Sequence, residues 1–543
     1  MSHLKTTIES LDPKKLHVLF MGGCGSFGMN ITAYIYGDKL YLVDVGLAFA
    51  SDYEIGIDSH VPDLTSLMEC FDQVEAYFIT HGHEDHVGAL PLILERWPAP
   101  VYMTAWTEKI FMDRIQKFGS RIQPEVHVVS PGDRIRGGNL FVDWVHIPHS
   151  IPGCCCLLIT ADKTTVFHTG DFKFDHQPFG EPGPDVGFLK SIAPVTAMIA
   201  DSTNSGHEGK CPSETSVQET IYQCFKTSQG MIVFSTFSSN FWRLRIVLEA
   251  CSKLKKKVFL SGASILKTLE IASQVFGYHP PEGLIIDESQ IPHQERSSLV
   301  VIASGSQGEP RSGLRRIVFG EHKHVSLNAG DTIILSSRVI PGNEKSVAMI
   351  TSEAHKKGVY VRTNKSDPGI HVSGHAHRGD LSELIELIQP KHYIPVHGTF
   401  TQLKANEELH PHSVSVENGS LVRVAERNVK VEDTFDFDKL FVDSWSQRPM
   451  SYESMRKRHK IGDSGLAVIS GHLFNIDVEF FGLPFDNEAH QTKSAEDIRA
   501  IIAEGHHKTE NLDDLNEWAR LHCRRYLSSL FVKKPVVISK IFS

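Results

Sequence analysis

A multidomain α/β fold is predicted for this chain by three observations. Its 543 residues exceed what one hydrophobic core usually serves, its first part alternates strand-like segments with tight turns, and its middle switches to a strand and helix rhythm. The opening strands are LHVLFMGG and MNITAYIYGDKLYLVDVG, with Gly37 and Asp38 at a hairpin turn. Further strands are expected at Ala76 to Thr80, Val101 to Thr104, Leu140 to His146, Thr165 to His168 and Val195 to Ala200, so a sheet-rich domain ends near residue 205. Beyond it MIVFSTF, KKVFLSG, SLVVIAS and TIILSS alternate with helical NFWRLRIVLEACSKL, SILKTLEIASQVF, RSGLRRIVF and NEKSVAMITSEAHKKG. That alternation is the signature of a parallel sheet covered by helices. After strand-like YVRT, helical LSELIELI and KHYIPVHG, the stretch SWSQRPMSYES reads as a polar linker, and LAVIS, NIDVEFF and PVVISKIF predict a small α+β unit at the C-terminal end.

Composition narrows the class. An apolar fraction of 41% and a charged fraction of 22% are those of an ordinary globular protein. The nine cysteines, an odd number with three adjacent at Cys154, Cys155 and Cys156, do not form a disulfide framework, and a reducing cytoplasm is expected. The N-terminal MSHLKTTIESLDPKKLHVLF lacks a signal-peptide pattern, and no long apolar run predicts a membrane span. A net charge of -10 argues against indiscriminate polyanion binding while leaving room for a local basic groove. The block GCGSFG, Gly23 to Gly28, matches a dinucleotide-binding pattern with Asp44 near its acidic position. A β-rich segment follows it, however, where that pattern requires a helix, so tight turns are the better reading.

The chemistry concentrates in FITHGHEDHVGA, Phe78 to Ala89. His81, His83, Asp85 and His86 are expected on the loop between a strand ending at Thr80 and a helix beginning near Val87. Imidazole and carboxylate suit zinc and similar divalent ions. Three more ligand-type residues follow strands: His149 in WVHIPHSIPG, Asp171 in VFHTGDFKFD and His397 in YIPVHG. Seven ligands are too many for one tetrahedral ion but suit two that share a carboxylate, a pair able to activate water and clamp a phosphate ester.

HGHEDH with His149, Asp171 and His397 resembles the metallo-β-lactamase superfamily, matching its HxHxDH motif at every specified position. The resemblance implies an αββα sandwich in which His81, His83 and His149 hold one metal, Asp85, His86 and His397 hold the second, and Asp171 bridges. Between Asp201 and His375 the chain resembles the β-CASP insertion of nucleic-acid-processing nucleases, and a histidine at position 397 falls on the RNA-directed side of that group. MGGCGSFGMN, HTGDFKFD, DSTNS, GSQGEP, IPGNEKSV and HVSGH are similar, in order, to blocks of the ribonuclease J family.

The expected architecture is therefore a first metallo-β-lactamase part at 1–205, a β-CASP domain at 206–350, a second metallo-β-lactamase part at 351–441, a linker at 442–455 and a C-terminal α+β domain at 456–543. The resemblance implies a two-metal ribonuclease acting 5′ to 3′, with internal cleavage by the same metals, in RNA processing and decay. Zinc is the expected metal and manganese the alternative. Asp85, Asp201 and His375 are the expected catalytic residues, with His375, backed by Asp201, protonating the departing 3′-oxygen.

His371 and Ser373 are expected to grip the scissile phosphate, with Gly374 letting the backbone approach closely. Ser238, Ser239 and Asn240 precede a helix whose N-terminus suits a 5′-phosphate, and Gly305, Ser306, Gln307, Gly308 and Glu309 are expected to line that pocket. Basic runs at Leu254 to Lys257, Leu314 to Arg316 and Arg456 to Lys460 are candidates for tracking backbone phosphates, although such runs more often form solvated faces. The expected partner is 5′-monophosphorylated single-stranded RNA, with no membrane, in a homodimer or homotetramer.

Two departures from the family stand out. GTF follows His397 where an acidic residue is common, and Cys154 to Cys156 replace a more polar, smaller stretch. Strand alternation should send Cys154 and Cys156 to one face and Cys155 to the other. A small-molecule hydrolase on the same fold would not need the long insertion, and an inactive RNA-binding scaffold would typically have lost ligands that are all present here.

Overall fold

The computed structural model describes residues 2–51, 54–340, 342–473, 475–531 and 533–542, so Pro341 of the IPGNEKSV block lies outside the described residues. The chain forms two compact units, Met1–Phe49 with His60–Lys439, and Ala50–Ser59 with Leu440–Ser543.

Two sheets face each other in the larger unit. One is eight-stranded and runs from Asn428–Thr434 through Ser420–Ala425, Leu16–Phe20, Thr32–Tyr36, Lys39–Val43, Val74–Phe78 and Val101–Thr104 to Val126–Val129. The other is six-stranded: Arg134–Gly137, Leu140–His146, Cys155–Ala161, Thr164–His168, Ala197–Asp201 and His392–Val396. Side chains alternate between faces along a strand, so Val18, Phe20, Tyr41, Val43 and Phe78 meet Trp144, Cys155, Leu157, Ile159 and Ile199 in one core. The opposite face of the six-stranded sheet, with Cys154, Cys156, Leu158 and Met198, packs on Leu189 of the helix Val186–Ser191 and on Leu381, Leu384 and Ile388 of the helix Arg378–Ile388. The three cysteines divide as strand alternation requires.

Pairing in the six-stranded sheet aligns four strand ends. Leu140–His146 and Thr164–His168 are both antiparallel to Cys155–Ala161, and Ala197–Asp201 and His392–Val396 run parallel to Thr164–His168. Their C-terminal ends, which lead to His149, Asp171, Asp201 and His397, therefore share one edge.

The inserted layer is an all-parallel sheet in the order Lys257–Ser261, Leu299–Ala303, Ile232–Ser235, Thr332–Leu335, Tyr360–Thr363. Parallel strands are buried on both faces. Ile232, Phe234, Val300 and Ile302 meet the helices Thr215–Thr227 and Phe241–Lys253 on one side, while Val233, Val301 and Ile333 meet Gly313–Phe319 and Glu344–Lys356 on the other. Tyr360–Thr363 carries this sheet past residue 350. The first strand in sequence, Ile232–Ser235, is central, so the connections diverge beside it. The loops Thr236 to Asn240, Ser304 to Glu309 and Ser336 to Ile340 leave the C-terminal edge there, where open α/β sheets place their ligands.

In the second unit Leu466–His472 pairs antiparallel with Asn475–Phe481 and parallel with Val536–Phe542. Helices Glu488–His506 and Leu512–Leu530 cover one face through Ile498, Ile502, Leu515, Ala519 and Leu527. The 442–455 stretch is partly ordered by Phe441 pairing with Met450 and by a helix starting at Tyr452. No helix among the described residues is long and apolar enough to cross a membrane.

Candidate active site

The strand Val74–Phe78 ends just before His81, and a helical turn Glu84–Val87 begins inside the HGHEDH stretch. Helical structure therefore starts earlier than the sequence indicated: Asp85 and His86 sit on the turn, while His81 and His83 stand on the loop. Three donor groups form among the described residues, all sharing Asp171. His81, His83, His149 and Asp171 offer one atom each within 4.8 Å of one another, Asp85, His86, Asp171 and His397 do the same, and so do Asp171, Asp201, His375 and His397.

In the first group His83 Nδ1 lies 3.1 Å from His81 Nε2 and 3.2 Å from His149 Nε2. Tetrahedral bonds of about 2.0–2.1 Å to nitrogen imply donors about 3.3–3.4 Å apart, so these spacings fit one small divalent ion. Asp171 divides its oxygens: Oδ2 faces His81 and His149 at 3.8 and 3.9 Å, and Oδ1 faces His86 at 3.2 Å and His397 at 3.4 Å. Its carboxylate is 2% exposed, and the side-chain partners that surround its two oxygens are histidine ring nitrogens. A buried carboxylate is costly unless positive charge meets it. The donor chemistry, the spacing and this buried carboxylate all fit divalent ions, as the fold implies.

The far nitrogens fix the tautomers. His149 Nδ1 donates to the Gly374 carbonyl at 2.7 Å, and His86 Nδ1 pairs with Asp44 Oδ2 at 2.7 Å. Thr80 Oγ1 donates to Asp44 at 2.9 Å and so accepts from His81 Nδ1 at 3.0 Å. His81, His86 and His149 thus each turn Nε2 inward, the arrangement that outer hydrogen bonds impose on ligating histidines. Gly374 is required by space, since a Cβ would lie 2.7 Å from Ser150 and 3.0 Å from the His149 ring. Burial, reinforced by neighbouring imidazoles, holds His81 and His149 well below the ordinary histidine range, and burial takes His83 down to about 4. Burial also opposes charge on His86 and His397, but Asp171 and the adjacent carboxylates outweigh it, raising His86 well above its usual value and His397 to about 10. The first group therefore offers three neutral imidazole lone pairs beside the shared Asp171 carboxylate, while the second is a carboxylate-rich pocket that draws positive charge.

His375 Nδ1 stands 2.8 Å from Asp201 Oδ2. Burial disfavours its charged form, but Asp201 and Asp171 outweigh burial and raise its pKa. Asp201 Oδ1 faces His397 Nδ1 at 3.1 Å, and Thr203 Oγ1 is 2.8 Å from the same nitrogen. Asp201 and Thr203 thus support His397 where the sequence offers GTF. Thr399 of that stretch caps the helix Phe400–Glu407.

The other expected substrate residues divide. Ser239 Oγ approaches His83 Nε2 at 3.4 Å, and Ser373 Oγ takes hydrogen bonds from His375 N at 3.1 Å and Asn204 Nδ2 at 2.8 Å. Asn240 caps its helix through Arg243 N, and Ser238 is held by Ser264 and Thr268. His371 lies against Arg243, whose guanidinium pairs with Glu214. In the 305–309 loop Gln307 bonds to Arg338 O and Ile340 N, and Glu309 receives Gln307 N. Asp44, Thr80, Thr203, Asn204 and Arg338 were not foreseen as site residues. Asp44 carried a signal as an acid directly after a strand, Thr80 lies in FITHGHEDHVGA, and Thr203 and Asn204 lie in the DSTNS block.

Comparison with known proteins agrees with this architecture. The metallo-β-lactamase superfamily model matches residues 27–200, the ribonuclease J β-CASP domain model 229–353, and the model described as the Zn-dependent metallo-hydrolase RNA specificity domain 368–410. The chain is 32% identical to a ribonuclease J of Sinorhizobium meliloti, with 99% of each chain covered, and 33% identical to one of Mycolicibacterium smegmatis, with 80% of this chain and 79% of that one covered. A ribonuclease J of Helicobacter pylori strain J99 is 28% identical, covering 98% and 79%. A crystal structure of a protein of unknown function from Enterococcus faecalis V583 shares the fold at a TM-score of 0.54 and 16% identity, covering 76% of this chain and all of that one.

Proposed function

Because the chain belongs to the ribonuclease J family and is a metal-dependent ribonuclease, we propose that it degrades 5′-monophosphorylated single-stranded RNA stepwise from the 5′ end, with internal cleavage as a second mode. His81, His83 and His149 would hold one ion, Asp85, His86 and His397 the other, and Asp171 would bridge them. Two such ions, when bound, activate water and stabilise the charge that develops on phosphoryl oxygens. Three imidazole nitrogens in one group, and the Zn-dependent description of the matched RNA-specificity family, support zinc over manganese.

The chain's own groups supply the rest. His375, its Nδ1 held by Asp201, delivers a proton from its other nitrogen to the departing 3′-oxygen. The P–O3′ bond breaks as water's oxygen joins phosphorus and water's proton passes to solvent, leaving a 5′-phosphate on the downstream product. Ser373 and His371 grip the scissile phosphate, and Ser239, with the helix N-terminus behind Asn240, receives the terminal phosphate. Nine unpaired cysteines support a reducing cytoplasm, and a homodimer or homotetramer is the proposed assembly.

The observation that carries this reading is the split Asp171 carboxylate, one oxygen toward His81 and His149 and the other toward His86 and His397. Cleavage of one 5′-end-labelled RNA, supplied as monophosphate or triphosphate, tests it with Asp171→Ala as control. Metal-dependent mononucleotide release from the monophosphate alone, lost in the variant, is the expected result. Internal cuts on both substrates would replace the exonuclease reading with an endonuclease.

A further inference from the structure

We infer that Arg338, through Asn204, is a positioning residue that commits the Ser373 hydroxyl to donate its proton to substrate phosphate. The inference rests on the proposed role of Ser373.

Asn204 is 1% exposed and lies between three partners. Its Nδ2 donates to Ser373 Oγ at 2.8 Å and to the His375 carbonyl at 3.2 Å, and its Oδ1 accepts from Arg338 Nη1 at 2.7 Å. The amide orientation is dictated from both ends. A guanidinium can only donate, so oxygen must face Arg338, and a carbonyl can only accept, so nitrogen must face His375. Arg338 thereby helps lock a donor toward Ser373.

That lock decides the serine's role. A hydroxyl has two acceptor sites and one proton to give. The His375 backbone N–H, at 3.1 Å, and Asn204 Nδ2 both point at Ser373 Oγ, and neither can accept. Both acceptor sites are filled, so the one remaining capacity of Ser373 is donation. Phosphate oxygens only accept, and a donor fixed before substrate arrives needs no reorganisation during reaction.

The position of Arg338 is itself built. Gln307, 5% exposed, donates to the Arg338 carbonyl at 2.9 Å and accepts from Ile340 N at 2.8 Å. The 305–309 loop, expected from sequence to touch substrate, thus holds the loop that carries Arg338. The path runs from the inserted sheet through Arg338 to Asn204, beyond the strand Ala197–Asp201, and on to Ser373 and His375.

A double-mutant cycle tests the inference. Arg338→Met removes the donor at similar length, and Arg338→Lys restores one. Arg338→Met should lower kcat/KM for RNA about 3- to 10-fold, the loss expected for one such hydrogen bond. Arg338→Lys should recover most of that loss. In a Ser373→Ala background Arg338→Met should change the rate less than about 2-fold, since groups that act through one another are not additive. Asn204→Asp, which places an acceptor before Ser373, should reproduce the effect and its dependence on Ser373. Full, independent losses in the Ser373→Ala background would overturn the inference while leaving Ser373 its role. Wild-type cleavage by Ser373→Ala would instead remove the role of Ser373 and the inference with it.

Discussion

Asp201 Oδ2 lies 2.8 Å from His375 Nδ1, while its Oδ1 faces His397 Nδ1 at 3.1 Å. One carboxylate thus orients both the proposed acid and a proposed ligand. With Nδ1 held by Asp201, the other nitrogen of His375 is left to carry the proton. Replacing His375 by Ala should lower kcat on RNA about 10²- to 10⁴-fold, the usual worth of general acid catalysis. On a p-nitrophenyl phosphodiester the loss should be far smaller, because that leaving group departs without a proton. Equal losses on the two substrates would remove His375 from the acid role.

Asp44 should matter to metal affinity although it belongs to none of the three donor groups. It holds His86 Nδ1 at 2.7 Å and Thr80 Oγ1 at 2.9 Å, and its φ of 58° is left-handed. Asn tolerates that backbone, so Asp44→Asn tests the carboxylate alone. Outer-shell substitutions typically cost 10–100-fold in affinity, and a chelator competition monitored by bound-metal analysis should show a loss of about that size. Unchanged affinity would mean that His86 is oriented by other means.

These two residues show what was legible in the sequence. HGHEDH was readable because its donors are contiguous, and His149, Asp171 and His397 because each follows an apolar strand whose C-terminal end parallel pairing aligns with the others. Asp44 and His86 meet across 42 positions and Arg338 and Asn204 across 134, so no local pattern records either pair. The helical turn at Glu84 was placed too late because His83, its cap, makes no side-chain capping bond and so leaves no Ser, Thr, Asp or Asn signal. Ser238 and Gln307 lie on loops at the C-terminal edge of the inserted sheet, but the structure alone reveals that their bonds go to Ser264 and to the Arg338 loop.

Glu181 predicts a pH-dependent stability. Its carboxyl is pushed well above the ordinary 4.5 by burial, with Asp175 and Glu214 adding to the shift and Trp242 and Lys173 opposing it, while His146 approaches at 3.9 Å. Below pH 4.5 it is protonated in both the folded and unfolded chains and costs nothing. As pH rises past 4.5 the unfolded carboxyl ionises first, so folding loses stability until the folded pKa is passed. Glu181→Gln should therefore raise Tm by about 1–4 °C at pH 8 and leave it unchanged at pH 4. A lower Tm at pH 8, or a difference that ignores pH, would contradict this.

The three adjacent cysteines should be chemically inert despite their closeness to Asp171. All three are fully buried. Burial pushes the Cys155 thiol up to about 12 and holds Cys154 and Cys156 well above the normal range. The thiolate is the species that reacts, and here it is both scarce and inaccessible. Among the nine unpaired cysteines only Cys70 is partly exposed, so a thiol titration of native protein should detect at most one fast group, and all nine after denaturation. Cys154 has a structural task instead, since its Sγ donates to the Asp171 carbonyl at 3.1 Å and steadies the proposed bridging residue. Peroxide treatment should consequently leave RNA cleavage intact in the wild type. Inactivation that Cys154→Ser prevents would show that the thiol is reachable and that the site is open to oxidation.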